Sequence, residues 1–218
     1  ESYGADALRL YLMFLGPLEA MKPWNTKGIE GVSRFLRKLW RLVIDEVSGQ
    51  ISTKIDLSNN TSLDEEGNRL LNESIKKVTN DYESLSFNTA ISQLMILLNY
   101  LTKLNRISKD SINIFLQLLA PLAPHISEEL WEKLDNNGVI SNASWPQYDE
   151  AALKRDEMEI VIQVNGKTRD KISVSSSIAN EELEKMAVEL QSVKKWTEEK
   201  TIRKIIVVPG RLINVVAG

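Results

Sequence analysis

The spacing of apolar residues changes once along this 218-residue chain. As far as about residue 134, apolar residues recur every three or four positions, which is the period of an α-helix. From Met158 they alternate with polar residues, which is the period of a β-strand. The chain is therefore predicted to be mainly α: an antiparallel helical bundle of about five elements in residues 1–134, then a small α+β domain with two β-hairpins and short helices in residues 158–218. Residues 135–157 are rich in asparagine and charge and contain glycine and proline, a composition that predicts a linker.

The composition excludes several classes of protein. No cysteine is present, which excludes disulfides and thiolate chemistry and is typical of a reducing cytoplasm. No apolar run is long enough to span a membrane as a helix. The net charge is −3, but residues 1–157 carry 17 Lys and Arg against 22 Asp and Glu, whereas residues 158–218 carry 10 against 8. Any contact with nucleic acid is therefore expected to come from local basic patches.

The stretch IEGVSRFLRKLWRLVIDEV, residues 29–47, predicts an amphipathic helix. It is expected to start from an N-cap at Asn25 or Thr26 and to end near Ser48-Gly49. Its apolar face comprises Ile29, Val32, Leu36, Leu39, Trp40 and Val43. Its opposite face carries Arg34, Arg37, Lys38 and Arg41. Four cations along about 10 Å of helix match the spacing of phosphates in a nucleic-acid backbone, although an ordinary solvated face is the alternative that spacing alone leaves open.

A second basic feature lies in the predicted α+β domain. Asn165-Gly166 between two alternating stretches is a strong signal for a tight β-hairpin turn. In the strand that follows, Lys167, Arg169 and Lys171 occupy alternate positions, so all three are expected on one face of the hairpin. A polar outward face without a ligand is the alternative. Two basic patches on a chain with no other chemistry predict contact with a folded RNA at two places.

A search for catalytic groups finds little. The single histidine, His125, stands beside a helix start, where a capping or packing role is predicted in preference to acid–base catalysis. No glycine-rich phosphate loop is present, and the carboxylates lack the spacing of metal ligands. No catalytic residue, metal or cofactor is therefore predicted in this chain, which is expected to bind its partner and not to convert it.

Several segments carry a resemblance to a known family. YGADALRLYLMFLGPLE, residues 3–19, resembles the segment that follows the KMSKS loop in class I aminoacyl-tRNA synthetases of the leucine, isoleucine, valine and methionine group. WNTKGIEGVSRFLRKLW, residues 24–40, resembles the first long helix of their anticodon-binding bundle, and LAPHISEELW and SWP fit the same bundle. IVIQVNGKTRDKI, residues 160–172, and IRKIIVVPGRLINVVAG, residues 202–218, resemble the terminal domain of bacterial-type leucyl-tRNA synthetases. The resemblance spans essentially the whole chain and implies a C-terminal fragment of such an enzyme.

This resemblance implies where each activity resides. The HIGH and KMSKS signatures and the editing domain are absent, so ATP and Mg²⁺ binding, leucine activation and proofreading would belong to the parent, a leucine–tRNA ligase, and the fragment alone is expected to be inactive. The helical bundle would lie along the inner side of tRNA(Leu), and the terminal domain would reach the tRNA elbow. The implied contacts of the terminal domain are Asn165, Lys167, Arg169, Lys171, Arg203 and Lys204. Arg9 would brace the junction with the missing core, and the parent is expected to be a cytoplasmic monomer.

Two alternatives remain open at the level of sequence. One is a helical scaffold for protein contact, which a sizeable exposed apolar patch would favour. The other is the same part of a valyl-, isoleucyl- or methionyl-tRNA synthetase. The first helix, residues 3–16, places Leu8, Tyr11, Leu12 and Leu15 at core spacing, yet Leu8, Tyr11 and Phe14 are also expected to have packed on a missing core.

Overall fold

The structure, a computed structural model, describes residues 3–17, 19, 21, 28–153, 157–175, 178–198 and 200–218. The predicted N-cap residues Asn25 and Thr26 lie outside the described residues. The chain divides into two compact units, residues 1–153 and 154–218, here called the helical unit and the α+β unit. As predicted, the chain is rich in helix and contains a small amount of sheet. No helix within the described ranges is long and apolar enough to cross a membrane.

Six α-helices form the described part of the helical unit. Side-chain caps fix where two of them begin: Asp64 accepts the Gly67 N–H, and Ser108 accepts the Ser111 N–H. The apolar faces of the helices meet in one buried core. The helices are α1 (Gly4–Phe14), α2 (Ile29–Val43), α3 (Glu65–Glu83), α4 (Phe87–Leu101), α5 (Lys109–Leu119) and α6 (Pro124–Lys133).

Helix α1 buries a different face from the one its spacing predicted. Leu10 and Tyr11 are buried, whereas Leu8 and Leu12 are 42% and 45% exposed. The core positions predicted for Leu8 and Leu12 are wrong, because α1 is apolar on more than one side and only one side contacts the rest of the helical unit. Tyr11, also expected against a missing core, is buried within this unit.

Helix α2 buries its predicted apolar face but ends earlier than predicted. The chain leaves the helix at Ile44, which is extended and pairs with Ile51. Asp45 closes the intervening turn, because its carboxylate accepts the backbone N–H and the hydroxyl of Ser48, each at 2.8 Å. These hydrogen bonds lower the pKa of Asp45 below its usual range. The hydrogen bonds of this turn therefore replace those that one more turn of helix would have formed.

Most of the predicted linker belongs to the helical unit. Ile140 is buried in a 3₁₀ turn after α6, and Trp145 and Tyr148 pack against the same core. The Trp145 indole N–H also donates to the Thr79 hydroxyl on α3 at 2.8 Å. The prediction that a linker starts at residue 135 is wrong, because a few aromatic side chains in this polar stretch supply the area needed to dock it.

The Ser- and Asn-rich stretch of residues 52–61 predicts a surface loop, but it contains a short strand. β1 (Ile55–Asp56) pairs in parallel with β2 (Ile107–Ser108), which immediately precedes α5. The Asp56 carboxylate accepts the hydroxyls of Ser58 and Thr61, which holds the pKa of Asp56 far below its usual range. This pairing fixes the position of Lys54, the residue before β1.

The α+β unit contains one four-stranded sheet with the strand order β4-β3-β6-β5. Each outer pair is antiparallel, and β3 lies parallel to β6 in the middle. Two helices cross from β4 to β5, and their Leu183, Ala187 and Val193 pack with the buried residues of the strands. The elements are β3 (Glu157–Val164), β4 (Lys167–Ser175), α7 (Asn180–Glu189), α8 (Gln191–Thr197), β5 (Ile202–Val208) and β6 (Leu212–Ala217).

Candidate nucleic-acid interface

The four predicted cations of α2 line one groove of the helical unit. The groove has a volume of about 550 Å³, and none of the residues that border it is acidic. Because the four residues lie at positions i, i+3, i+4 and i+7, α2 presents their charges on one face over a length of about 10 Å. The groove is bordered by Arg34, Arg37, Lys38, Arg41, Leu42, Ser52, Lys54 and Thr102. The structure therefore brings together all four α2 residues that the sequence predicted.

Among the described residues, three of these four charges have no anionic partner. Arg34 and Arg37 are exposed, and no described carboxylate lies within ion-pair distance of either. Lys38 Nζ donates to Asn99 Oδ1 at 2.6 Å, a neutral acceptor that leaves its charge uncompensated. Arg41 differs, because its Nε lies 2.9 Å from Glu46 Oε1, with both side chains more than half exposed. Such an exposed pair is weak and is screened by salt, but it reduces the attraction of Arg41 for an external anion.

Lys54 is a further cation of this groove that sequence reasoning missed. Its Nζ donates to the carbonyl oxygen of Thr102, at the end of α4, at 3.3 Å. Its place beside α2 depends on the β1–β2 pairing, which joins residues about fifty positions apart. The only signal in the sequence is one lysine in a polar stretch, and such a residue is usually just solvated.

The predicted common face of Lys167, Arg169 and Lys171 is wrong. Ile162 pairs with Asp170 and Gln163 pairs with Thr168, so Arg169 is the extra residue of a β-bulge. A bulge breaks the alternation of side chains along a strand. Arg169 consequently points to α8, where its Cζ lies 3.5 Å from the centroid of the Trp196 ring. Lys171 instead forms an exposed ion pair with Glu159 at 2.8 Å.

The two turn residues of the first hairpin have different roles. Asn165 has a positive φ of 51°, which asparagine tolerates in tight turns. Its side-chain amide donates to the Ala217 carbonyl and accepts the Ala217 N–H, at 2.9 and 3.0 Å. The Asn165 side chain therefore ties the turn to the end of β6 and is not free for a ligand in the way that was predicted. Lys167 is exposed, and no described carboxylate lies within ion-pair distance.

Arg203 and Lys204 lie on the edge strand β5. The pairing skips Arg203, because Ile202 pairs with Ala217 and Lys204 pairs with Val216. Both cations are exposed, and neither forms an ion pair with a described residue. The guanidinium of Arg203 lies beside Gly218. Their charges are thus available to solvent, at the opposite edge of the sheet from β4.

The two other residues that the sequence singled out stabilise the helical unit. Arg9 donates from Nε to the Leu122 carbonyl at 3.1 Å and from one Nη to the Pro121 carbonyl at 3.0 Å, so it braces α1 against the α5–α6 connection. The predicted role of Arg9 at a junction with another domain is not needed to explain its position. His125 lies at the start of α6, where its Nδ1 is 2.8 Å from Asp6 Oδ1. The His125 side chain is 73% exposed, so the capping or packing role predicted for it stays a prediction.

Two comparisons with known proteins match this chain. The model of the family described as the anticodon-binding domain of tRNA ligase matches residues 64–186. Over 100% of its length the chain also matches a leucyl-tRNA synthetase of Agrobacterium radiobacter K84, agnB2, in a crystal structure of its ternary complex with tRNA and LeuAMS, with 29% identity and a TM-score of 0.79.

The chain spans 29% of the length of that synthetase. The matched family segment runs from α3 into α7 and therefore crosses the division between the two units. The resemblance to the synthetases that the sequence predicted is thus confirmed by a family match over more than half of the chain and by a structural match over all of it. The chain belongs to the family of anticodon-binding domains of tRNA ligases.

Proposed function

We propose that this chain is the tRNA-binding C-terminal part of a leucyl-tRNA synthetase. The parent would attach leucine to tRNA(Leu), with ATP and Mg²⁺ bound in a catalytic core that lies outside this chain. The part described here would do no chemistry itself but would hold the tRNA so that its acceptor end meets that core. The family match and the solved synthetase–tRNA complex support this proposal, and a cytoplasmic, monomeric parent is part of it.

The observation that carries the proposal is the uncompensated basic groove on α2. Arg34, Arg37, Lys38 and Lys54 place four cations around about 550 Å³ of open space, on a protein whose net charge is −3. A folded acidic protein gains nothing in stability from gathering like charges, because like charges repel. A polyanion removes that repulsion, and guanidinium groups bind phosphate oxygens with two parallel hydrogen bonds.

A salt titration tests this proposal. Binding of tRNA(Leu) and of an unrelated tRNA to the chain is measured by filter binding at several salt concentrations, and log affinity is expected to fall linearly with log salt concentration. The double variant Arg34→Glu/Lys38→Glu removes two phosphate contacts, so we expect weaker binding and a slope that is smaller by about 1.4 to 1.8.

A matched control changes the same net charge elsewhere. Arg69 on α3 and Lys133 on α6 each form an ion pair one turn along their own helix, away from the groove. The variant Arg69→Glu/Lys133→Glu should keep the slope of the unmodified chain. Equal slopes for both double variants, or no binding by the unmodified chain, would refute the proposal.

A second candidate function rests on α1. Tyr3, Leu8, Leu12 and Phe14 are 38–45% exposed, and Leu8 and Leu12 lie one turn apart. Such a face favours contact with another protein surface. Sedimentation velocity of the chain and of Leu8→Glu/Leu12→Glu distinguishes the two: self-association that the variant abolishes would favour a scaffold, whereas a monomer that binds tRNA favours the first proposal.

A further inference from the structure

The β-bulge in β4 gives Arg169 an unusual environment. As the extra residue of the bulge, Arg169 leaves the alternation of its strand and places its guanidinium over the Trp196 ring, with 3.5 Å between Cζ and the ring centroid. Bulges often redirect a side chain in this way. Trp196 lies on α8 and is 42% exposed. A large aromatic ring is thus held at the surface with a cation fixed against it.

Among the described residues, no carboxylate forms an ion pair with Arg169, and its guanidinium contacts the Trp196 ring. Its Nε is buried and donates to no described acceptor. The neighbouring carboxylate of Asp170 is engaged elsewhere, because it accepts the Lys171 N–H at 2.8 Å. Asp170 therefore does not pair with Arg169, although it is adjacent in sequence.

Trp196 is not needed to build the core of the α+β unit. Within the described residues, the part of α8 that enters this core is Val193. The last turn of α8 also carries Lys194 and Lys195, both exposed and without a described anionic partner. Cations interleaved with an exposed aromatic ring are the usual composition of a surface that binds unpaired nucleotides, because bases stack on the ring while lysines contact phosphates.

We infer that Arg169 and Trp196 form a stacking platform for one unpaired base of a bound RNA, with Lys194 and Lys195 contacting the adjoining phosphates. This inference rests on the proposed function and adds the kind of nucleotide that the α+β unit recognises. Arginine and aromatic planes are the common platforms for splayed bases in folded RNA, and a stacked base needs no particular sequence. The bulge places the Arg169 guanidinium against the Trp196 ring.

Chemical probing of the RNA and affinity measurements test the platform. The probe is a tRNA(Leu) transcript bound to the chain, and the variants are Trp196→Leu, Trp196→Phe and Arg169→Gln. Stacking is worth about 1 to 3 kcal/mol per base, so Trp196→Leu should weaken binding by roughly 5- to 150-fold. Trp196→Phe should retain most of the affinity, because it keeps an aromatic face. Neither change should alter the salt slope, whereas Lys194→Gln/Lys195→Gln should lower it.

Probing by 2′-hydroxyl acylation, which modifies flexible nucleotides whatever their base, separates stacking from a loss of structure. With the unmodified chain, one unpaired base should be protected, and this protection should disappear with Trp196→Leu and with Arg169→Gln while the rest of the tRNA footprint remains. Lys185→Gln is the control, because Lys185 is an exposed cation on α7 of the same unit and is not among the predicted RNA contacts. Thermal melting of each variant shows whether the α+β unit remains folded, and Arg169→Gln is the decisive variant if Trp196→Leu unfolds.

The outcomes for this inference and for the proposed function differ. If the unmodified chain binds tRNA and the Trp196 and Arg169 variants leave affinity and base protection unchanged, the platform is refuted and the proposed function stands. If the unmodified chain does not bind tRNA at all, the proposed function is refuted and the platform with it.

Discussion

The carboxylate of Asp6, a residue of α1, contacts the start of α6, although the two segments are about 120 residues apart in sequence. Asp6 accepts the Ile126 N–H at 2.7 Å and the His125 N–H at 3.3 Å. It is therefore a cap supplied by another helix, since Ala123, the residue at the N-cap position, has no side-chain hydrogen bond. The side chain of Asp6 is only 9% exposed, so water does not readily replace it.

The magnitude of an Asp6→Ala substitution follows from these contacts. Loss of an N-cap side chain costs about 1 kcal/mol, and leaving a buried hydrogen-bonding group without its charged partner costs about 1 to 3 kcal/mol. We expect the free energy of unfolding of the helical unit to fall by about 2 to 3 kcal/mol. With a urea dependence of about 2 kcal/mol per molar, the unfolding midpoint should fall by about 1 to 1.5 M.

Circular dichroism at 222 nm during urea unfolding of the full chain measures this change, and hydrogen exchange of the Ile126 amide locates it. His125→Ala is the matched control: the His125 ring also contacts Asp6, but its side chain is 73% exposed, so its removal should cost less than about 0.5 kcal/mol. A fall of less than about 0.5 kcal/mol for Asp6→Ala, or an equal effect of both variants, would refute the reasoning.

Two more predictions concern local hydrogen bonds. Asn165→Ala removes both amide bonds to Ala217 and places alanine, which tolerates a positive φ less well than asparagine, at this turn. The α+β unit should therefore lose about 1 to 2 kcal/mol in stability while the melting of the helical unit stays unchanged; an unchanged melting temperature of the α+β unit would contradict this. The Tyr100 hydroxyl and the Gly67 N–H lower the pKa of Asp64, and the pKa of Tyr100 is raised to about 12 by burial and by Asp64. A lowered carboxyl pKa gives stability that is present above the unfolded-state pKa and is lost as the pH falls. Tyr100→Phe should therefore raise the pKa of Asp64 and flatten this acid-side loss, which NMR titration of Asp64 and melting between pH 2 and 6 would show; an unchanged Asp64 pKa would contradict the assignment.

The basic face of α2 was predictable because it is a property of one helix. Once a period of 3.6 residues is recognised, Arg34, Arg37, Lys38 and Arg41 lie on one side whatever the rest of the chain does. Lys54 was not predictable, because it reaches the same groove through a β-pairing between distant segments. The pairing of Arg41 with Glu46 was missed for a related reason, since the predicted helix continued through residue 46 whereas the structure turns there.

The cations of β4 show that prediction from sequence pattern can also fail for residues that are close together in the chain. Alternation places Lys167, Arg169 and Lys171 on one face only if every residue of the strand pairs in register. One extra residue at Arg169 breaks this alternation, and the spacing of residues in the sequence does not predict it. The result separates Lys171, which pairs with Glu159, from Arg169, which meets Trp196.

The amino-acid sequence by itself determined the order of the α-helices and of the four strands of the α+β unit, the hairpin turn at Asn165-Gly166 and the basic side of α2, because each depends on neighbours within about one turn of helix or one tight turn. The tertiary structure alone decided which side of α1 is buried, that residues after 135 dock on the helical unit, and that the two hairpins join through β3 and β6 in one sheet. These outcomes depend on contacts between residues far apart in the chain. Local periodicity does not indicate which of several apolar faces packs against the rest of the protein.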